Sequence, residues 1–171
     1  MDNNIKEKYN VDESHKTLSL QPYKYYKKGL KWYVLGLVAV ALVCLYYRNG
    51  MPEYVLIIAS TLTILIILWM LKELLFRIPI YYTFDASQNK VFISNFFVKN
   101  RVLFDLNKMV LFTSSDNEGW AYAIGEKKKH LIKSYKISEY FGDTKKSIAN
   151  ADLYENEILT KINDLVSQVH P

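Results

Sequence analysis

The sequence has little of the residue types from which most recognisable active sites are built. It contains one cysteine, Cys44, so no disulfide can form within the chain. Its three histidines, His15, His130 and His170, lie far apart, and none belongs to a metal-ligand motif such as HExxH. The six glycines are scattered, so neither a P-loop nor a GxGxxG phosphate-binding loop is present. The sequence therefore predicts no catalytic residue, no cofactor and no metal site.

Charge is absent from two long stretches of the chain. Residues 32–47 and 54–71 contain no Asp, Glu, Lys or Arg, and only six residues separate them. A helix rises about 1.5 Å per residue, so each stretch approaches the roughly 30 Å apolar thickness of a bilayer. A link this short, with Asn49, Gly50 and Pro52, holds no soluble domain. The pattern predicts an antiparallel transmembrane helical hairpin over residues 30–76.

Positive charge at the open end of this hairpin predicts its orientation. The cations on that side are Lys24, Lys27, Lys28, Lys31, Lys72 and Arg77. The link between the two stretches carries Arg48 alone. Lys and Arg close to short spans are retained on the cytoplasmic side of a membrane. We therefore expect a two-span protein of the bacterial inner membrane with both termini in the cytoplasm.

The net charge of +5 is unevenly distributed along the chain. From residue 80 onward, 12 Lys and Arg oppose 11 Asp and Glu, whereas 10 oppose 6 before that point. A nearly neutral C-terminal region is poorly suited to binding a nucleic-acid backbone. The sequence therefore predicts no nucleic-acid partner, and the basic excess beside the spans favours contact with the lipid bilayer.

The polar residues 1–29 are expected to form a cytoplasmic juxtamembrane tail. Residues 17–20 (TLSL) alternate polar and apolar side chains, a pattern typical of either a short strand or a simple tail. Tyrosines and lysines then interleave just before the first span. These candidate contact residues are Tyr23, Lys24, Tyr25, Tyr26, Lys27 and Lys28. Their position favours lipid headgroups, the alternative being base stacking on single-stranded nucleic acid.

After residue 77 the pattern changes to short strands separated by turn-forming residues. The six segments rich in β-formers are residues 80–84, 90–98, 101–104, 109–113, 120–124 and 129–135. With no helix between them, they predict an antiparallel meander. We expect this sheet to curl into a partial barrel.

A helix is predicted at the C-terminal end of the chain. Asp152 is the expected N-cap, and Ile158, Ile162, Leu165 and Val169 recur at helical spacing to form an apolar stripe. The predicted fold is therefore α+β: an N-terminal transmembrane hairpin, a small antiparallel sheet or partial barrel, and a C-terminal amphipathic helix.

Three stretches and the order of the elements carry a resemblance to a known family. They are residues 17–28 leading into the first span, residues 77–79 opening the strands, and residues 101–109 (RVLFDLNKM) between early strands. The chain resembles bacterial two-span membrane proteins with a pleckstrin-homology-like (PH-like) domain, here residues 77–171. That fold has seven strands, so one strand is either missed or contributed by residues 17–20. The resemblance implies a non-enzymatic interaction scaffold.

The resemblance does not extend to phosphoinositide binding. Members of the wider fold that bind these lipids place basic residues in the first loop between strands, and residues 85–90 hold one lysine and an aspartate there. Lysines are frequent later in the domain, at Lys127, Lys128, Lys129, Lys133 and Lys136. This group is either the solvated tip of a hairpin or a patch for anionic lipid or an acidic partner.

Three hypotheses for the function follow from these features. The first is a membrane protein whose PH-like domain binds another protein or forms a homo-oligomer. The second is an immunity protein that neutralises a toxin at the cytoplasmic membrane, which small size and an anchor fit without selecting it. The third is a sensor of anionic lipid that uses the tyrosine–lysine segment and the lysine-rich turn.

Overall fold

In the computed structural model, which describes residues 3–47, 50, 52–129 and 132–169, three short elements precede the apolar stretches. Helix α1 spans Asn3–Lys8, strand β1 spans Asp12–Glu13 and strand β2 spans Thr17–Leu20. Of the two alternatives for residues 17–20, the strand is therefore the correct one.

The N-terminal segment belongs to the folded domain. β2 pairs antiparallel with β3 (Tyr81–Asp85), which lies beyond both apolar stretches, and Leu18 is opposite Phe84. Leu18 and Leu20 are both buried, because alternate residues of β2 face the core. The expected polar tail over residues 1–29 is thus replaced by a segment that supplies a strand and core side chains.

The two apolar stretches form a pair of long helices. α2 spans Tyr26–Tyr46 and α3 spans Glu53–Lys72, followed by a π-helical turn over Glu73–Arg77. Both helices are long and apolar enough to cross a membrane, and no residue of either one is buried within the protein. Tyr33 and Trp69 meet between them with ring centroids 5.3 Å apart. The predicted helical hairpin is confirmed to this extent.

The first sheet has five strands in the order β1-β2-β3-β4-β5, with β4 over Lys90–Ser94 and β5 over Arg101–Asp105. The strand predicted to run to residue 98 ends at Ser94. The Asn95 carboxamide oxygen accepts hydrogen bonds from the backbone N–H groups of Phe97 (2.9 Å) and Val98 (2.7 Å), which turns the chain.

The second sheet has three strands in the order β6-β7-β8. They span Met109–Asp116, Gly119–Glu126 and Ser134–Lys136, and a 3-10 turn over Leu106–Lys108 leads into β6. The predicted return strand over residues 129–135 is therefore shorter, and its residues His130 and Leu131 lie outside the described ranges. The mixed α+β fold is confirmed, but neither sheet closes on itself within the described residues.

The C-terminal helical region begins earlier than predicted. α4 spans Lys145–Tyr154, a π-helical turn covers Glu155–Leu159, and α5 spans Thr160–Val169. Thr144 is the N-cap, since its Oγ1 accepts a hydrogen bond from the Ser147 N–H at 3.2 Å. The assignment of Asp152 as N-cap was wrong, because the first turns of α4 are polar and lack the apolar spacing that marks a helix.

The two sheets and the C-terminal helices enclose one core. Its fully buried large side chains include Tyr9, Leu18, Leu20, Phe84, Leu106, Ile124, Ile137, Phe141, Tyr154, Ile158 and Ile162. Tyr154 lies at the centre, 4.8 Å from the Tyr9 ring centroid and 5.6 Å from that of Tyr122. Its hydroxyl donates to the Ile137 carbonyl at 2.6 Å, so the buried phenol is satisfied.

Candidate functional site

The helix pair joins the domain through two adjacent segments, residues 21–26 and 73–78, which we call the neck. They are adjacent because β2 leads into α2, and the turn after α3 leads into β3, the strand paired with β2. The Gln21 side-chain amide donates to the Ile78 carbonyl at 2.6 Å, and both residues are buried. The two chain crossings between hairpin and domain are therefore bound to each other.

Arg77 is the central charged side chain of the neck. Its guanidinium lies 5.0 Å from the Tyr23 ring centroid and 4.6 Å from that of Tyr26, and it donates to the Tyr26 hydroxyl at 3.2 Å. Arg77 also pairs with the buried Glu73, with Nη1 3.6 Å from Oε2. Cation–π contact with two rings and an ion pair position this arginine. Arg77 therefore links the turn after α3 to the segment that leads into α2.

Most side chains of the tyrosine–lysine segment make contacts within the protein. The Tyr25 and Tyr26 ring centroids are 4.4 Å apart, and Lys8 lies 5.6 Å from the Tyr25 ring. Burial raises the pKa of the Tyr23 and Tyr25 phenols. Lys24 donates to the Glu7 carbonyl at 3.1 Å and the Asn10 side-chain oxygen at 2.9 Å.

Lys27 and Lys28 differ from the rest of that segment, because both are exposed on the first turn of α2. They are the residues of the predicted contact set that remain open to solvent beside the hairpin. Lys31, one turn further along α2, is exposed as well.

The lysine-rich turn lies at the other end of the domain. The Lys127 N–H donates to the Lys108 carbonyl at 2.7 Å, and the neighbouring Asn107 N–H donates to the Asn89 side chain at 2.9 Å. Asn89 is in the β3–β4 turn, whereas the neck adjoins the opposite end of β3. These strands have five residues each, so the two ends are about 16 Å apart.

Within this turn the lysine side chains face solvent. Lys127, Lys128 and Lys129 are exposed, Lys129 pairs with Glu126 at 3.1 Å, and Lys128 has a positive φ of 77°. Lys133 is exposed and lies 5.9 Å from the Tyr135 ring. Lys136 differs, because it pairs with Asp116. The structure does not bring Lys127, Lys128, Lys129 or Lys133 to the tyrosine–lysine segment, whereas the charge of Lys136 acts on Tyr23 and opposes the rise of its pKa.

A groove that the sequence did not indicate lies between β6 and the C-terminal helices. β6 is at the edge of its sheet, with β7 as its paired strand among the described residues. The groove has a volume of about 310 Å³ and is lined by Leu111, Phe112, Thr113, Tyr122, Glu155, Leu159, Thr160 and Asn163. An edge strand offers backbone donors and acceptors to a further strand. The available sequence signal for β6 was the segment rich in β-formers at residues 109–113, but the edge position of the strand depends on tertiary pairing.

One polar contact crosses the floor of this groove. The Tyr122 hydroxyl donates to Glu155 Oε2 at 2.9 Å. Burial and this hydrogen bond raise the pKa of Tyr122 to about 12. The hydrogen bond from the phenol holds the carboxylate in place beside the β6 edge.

The described residues contain no group of three or more His, Cys, Asp or Glu that could hold a metal ion. Comparison with protein-family models, with curated proteins and with solved structures finds no match to this chain. Its own geometry therefore defines the class of protein: an α+β domain joined by a neck to two helices of membrane-spanning length.

Proposed function

We propose that this chain is a non-enzymatic, two-span protein of the bacterial inner membrane whose cytoplasmic PH-like domain is a protein-interaction module. The observation that carries the proposal is that the helix pair is an insertion between β2 and β3, neighbours in one sheet. A domain held through two bound chain crossings stays beside the bilayer and is restricted in its orientation toward it. Such an anchor suits presentation of a fixed surface to a partner.

The strand order supports a PH-like domain. Four antiparallel strands, β2 to β5, form one sheet with β1 at its edge, three more form the second sheet, and helices close the core. Strands β2 to β8 would supply the seven strands expected of that fold, and the two-residue β1 is an addition to them. If β2 is the first strand of the fold, the first connection between strands is the membrane hairpin itself. Residues 85–90, between β3 and β4, then form the second connection and not the first.

The groove beside β6 supports binding of a protein segment. An extended peptide can add to an exposed sheet edge through main-chain hydrogen bonds, while side-chain pockets provide specificity. Here the apolar side chains of Leu111 and Leu159 flank the edge, and Glu155 adds a carboxylate. The expected partner is therefore an extended segment with apolar residues and a basic residue.

Site-specific photo-cross-linking in native membranes tests this proposal. A photoreactive phenylalanine analogue replaces Thr113, exposed on β6, and in a matched control replaces Ala149, exposed on α4 outside the groove. We expect a discrete protein adduct from position 113 and none from 149, with mass spectrometry separating a second copy of this chain from another protein. Equal labelling at both positions, or no adduct at 113, would contradict the proposal that the groove binds a protein segment.

The membrane placement has its own test. Reporter fusions at both termini are expected to be active only where the reporter works in the cytoplasm, and washing at alkaline pH is expected to leave the chain in the membrane. A terminus found outside, or extraction by the wash, would refute the anchored arrangement.

A further inference from the structure

The connection between β4 and β5, residues 95–100, presents large apolar side chains to solvent. Phe96 is 68% exposed and Phe97 is 59% exposed, and Val98 beside them is 40% exposed. Two adjacent exposed phenylalanines in a small domain leave apolar area in contact with water. We therefore expect the two rings to be buried against another molecule or a membrane.

This connection is held in shape by its own polar groups. The Asn95 side-chain oxygen accepts from the N–H groups of Phe97 and Val98, and the Asn95 N–H donates to the Val98 carbonyl at 2.8 Å. At its base, Ser94 Oγ accepts from the Asn100 N–H at 2.9 Å. Backbone donors paired within the loop carry no desolvation penalty if the tip enters an apolar layer.

The loop lies beside the end of the membrane hairpin. The Phe97 ring centroid is 5.2 Å from that of Phe76, which lies in the π-helical turn after α3. Phe76 and Leu74 are exposed, whereas Glu73 is buried against Arg77. The exposed apolar surface at the end of α3 therefore continues through Leu74 and Phe76 onto the loop, with the exposed Lys72 one turn before Phe76.

The depth of this contact matches the headgroup layer. Phe76 lies five residues beyond residue 71, where the uncharged stretch ends, which is about 7.5 Å along a helix. The polar layer on each side of the hydrocarbon core is about 5–8 Å thick. Phe76 and the Phe97 ring beside it therefore lie within the headgroup layer, where interfacial aromatic residues are enriched.

Cations surround the apolar tip. Lys99 and Arg101 are exposed on the loop and at the start of β5. On the helices, Lys27, Lys31 and Lys72 are exposed at the same end of the hairpin. An apolar tip with flanking cations is complementary to a bilayer surface containing anionic lipid.

We propose that residues 95–100 insert Phe96 and Phe97 into the interfacial layer of the same bilayer that the hairpin spans, with Lys99 and Arg101 contacting anionic headgroups. The inference rests on the proposed membrane insertion and adds a third point of contact to the two helices. Three points define a plane, so the loop sets the tilt of the domain and directs the β6 groove.

Lipid quenching in reconstituted vesicles tests the insertion. In the full chain with Cys44→Ser, single cysteines at Phe96, Leu65 and His15 carry an NBD fluorophore. Leu65 is exposed on α3. His15 is exposed in the β1–β2 turn. This turn lies at the end of the sheet away from the neck, since the backbone carbonyl of the next residue, Lys16, accepts a hydrogen bond from the Ala86 N–H. The vesicles contain phosphatidylcholine and phosphatidylglycerol with spin-labelled acyl chains.

We expect loss of fluorescence at positions 96 and 65 and none at 15, with the label at 96 quenched best by shallow spin labels. Lys99→Gln with Arg101→Gln is expected to reduce quenching at 96 in phosphatidylglycerol vesicles more than in pure phosphatidylcholine. Quenching at 65 without quenching at 96 would overturn the loop insertion while leaving the hairpin intact. Absence of quenching at 65 would overturn the membrane anchor itself, and the inserted loop with it.

The other possible cover for the tip is a second copy of the chain. In that case the label at 96 would be shielded from water in lipid-free detergent, its emission would shift with protein concentration, and spin-labelled lipid would not quench it. This result would overturn the proposal.

Discussion

At the scale of single residues, Arg77 has the largest number of separate roles in the neck. It contacts the rings of Tyr23 and Tyr26 and balances the charge of Glu73. Glu73 is 6% exposed, and its Oε2 makes no hydrogen bond among the described residues. A buried carboxylate that depends on one cation makes the stability of the neck sensitive to that cation.

Arg77→Ala is expected to lower the free energy of unfolding by about 2 kcal/mol, since it removes the cation–π contacts and leaves Glu73 unpaired. Arg77→Lys recovers part of this loss, because lysine keeps the charge but lacks the planar group that covers two rings. The measurement is thermal unfolding in detergent micelles followed by circular dichroism.

Glu73→Gln supplies the control for this interpretation. Combined with Arg77→Ala it leaves no buried charge, so the double variant is expected to be more stable than Arg77→Ala alone. Additive losses from the two substitutions would contradict the ion pair as the source of the effect.

The pH dependence of stability tests the contacts of the Asp116 carboxylate. Hydrogen bonds from Lys136 first, and then from Tyr140, hold its pKa at about 2, below the usual 3.8. Because the folded-state pKa is depressed, this carboxylate adds stability that is complete above pH 3.8 and is lost as the pH falls toward 2. Lys136→Met is expected to raise the pKa of Asp116 toward its usual value, as followed by carboxyl chemical shifts in NMR. An unchanged midpoint would show that Lys136 does not set the pKa.

At the scale of elements, the β6–β7 turn is positioned by a contact outside its own hairpin. Trp120 and Phe141 exchange two backbone hydrogen bonds, 3.0 Å and 2.7 Å long, which extends the pairing of β7 beyond β8. Gly119, at the start of β7, has φ +128°, and a Cβ there would lie 2.5 Å from the Phe141 carbonyl oxygen. This approach requires glycine both for its backbone conformation and for its lack of a side chain.

Gly119→Ala is therefore expected to destabilise the domain by about 1–3 kcal/mol, because the methyl group would displace Phe141 from β7. Gly142→Ala is a matched control, since a Cβ at Gly142 meets nothing within 4 Å. It is expected to change stability by less than about 0.5 kcal/mol. Equal midpoints of thermal unfolding for the two variants would contradict the close approach.

The elements that sequence patterns predicted correctly are those with a strong local signal. Both apolar helices and five of the six strand segments after residue 77 were predicted because uncharged runs and β-forming residues mark them directly, whereas the last strand, Ser134–Lys136, begins five residues later than predicted. The start of α4 was missed because residues 145–150 (KKSIAN) have no apolar stripe and its cap, Thr144, follows a loop. The neck and the β6 groove were missed because each depends on residues brought together by tertiary pairing.

At the scale of the whole molecule, the hairpin divides a domain that is continuous in space. β2 and β3 are adjacent strands, yet 60 residues lie between Leu20 and Tyr81. The TLSL pattern does not by itself identify a partner so distant in sequence, and only the strand count of the resembled fold suggested that residues 17–20 join the sheet. The consequence is that neither the N-terminal segment nor residues 77–171 holds the complete core.

This division predicts how the domain behaves when the hairpin is removed. Residues 1–26 joined to residues 77–171 by four Gly and Ser residues are expected to give a soluble, cooperatively folding chain. Such a linker reaches about 13 Å, more than the 8–10 Å typical of packed helices. The piece comprising residues 77–171 alone lacks Leu18 and Leu20, whose burial is worth about 1.5–3 kcal/mol each, a large part of the 5–15 kcal/mol typical of a folded domain.

Thermal unfolding of the two soluble chains, followed by circular dichroism, distinguishes these cases. The spliced chain is expected to show a cooperative transition, and residues 77–171 a broad change without a defined midpoint. Leu18→Ser in the spliced chain serves as the intermediate case, since it retains every strand but removes one buried leucine, and it is expected to unfold at a lower temperature. A cooperative transition of residues 77–171 at the same temperature as the spliced chain would show that β2 is dispensable, and the hairpin would then be an appendage to the domain and not an insertion within it.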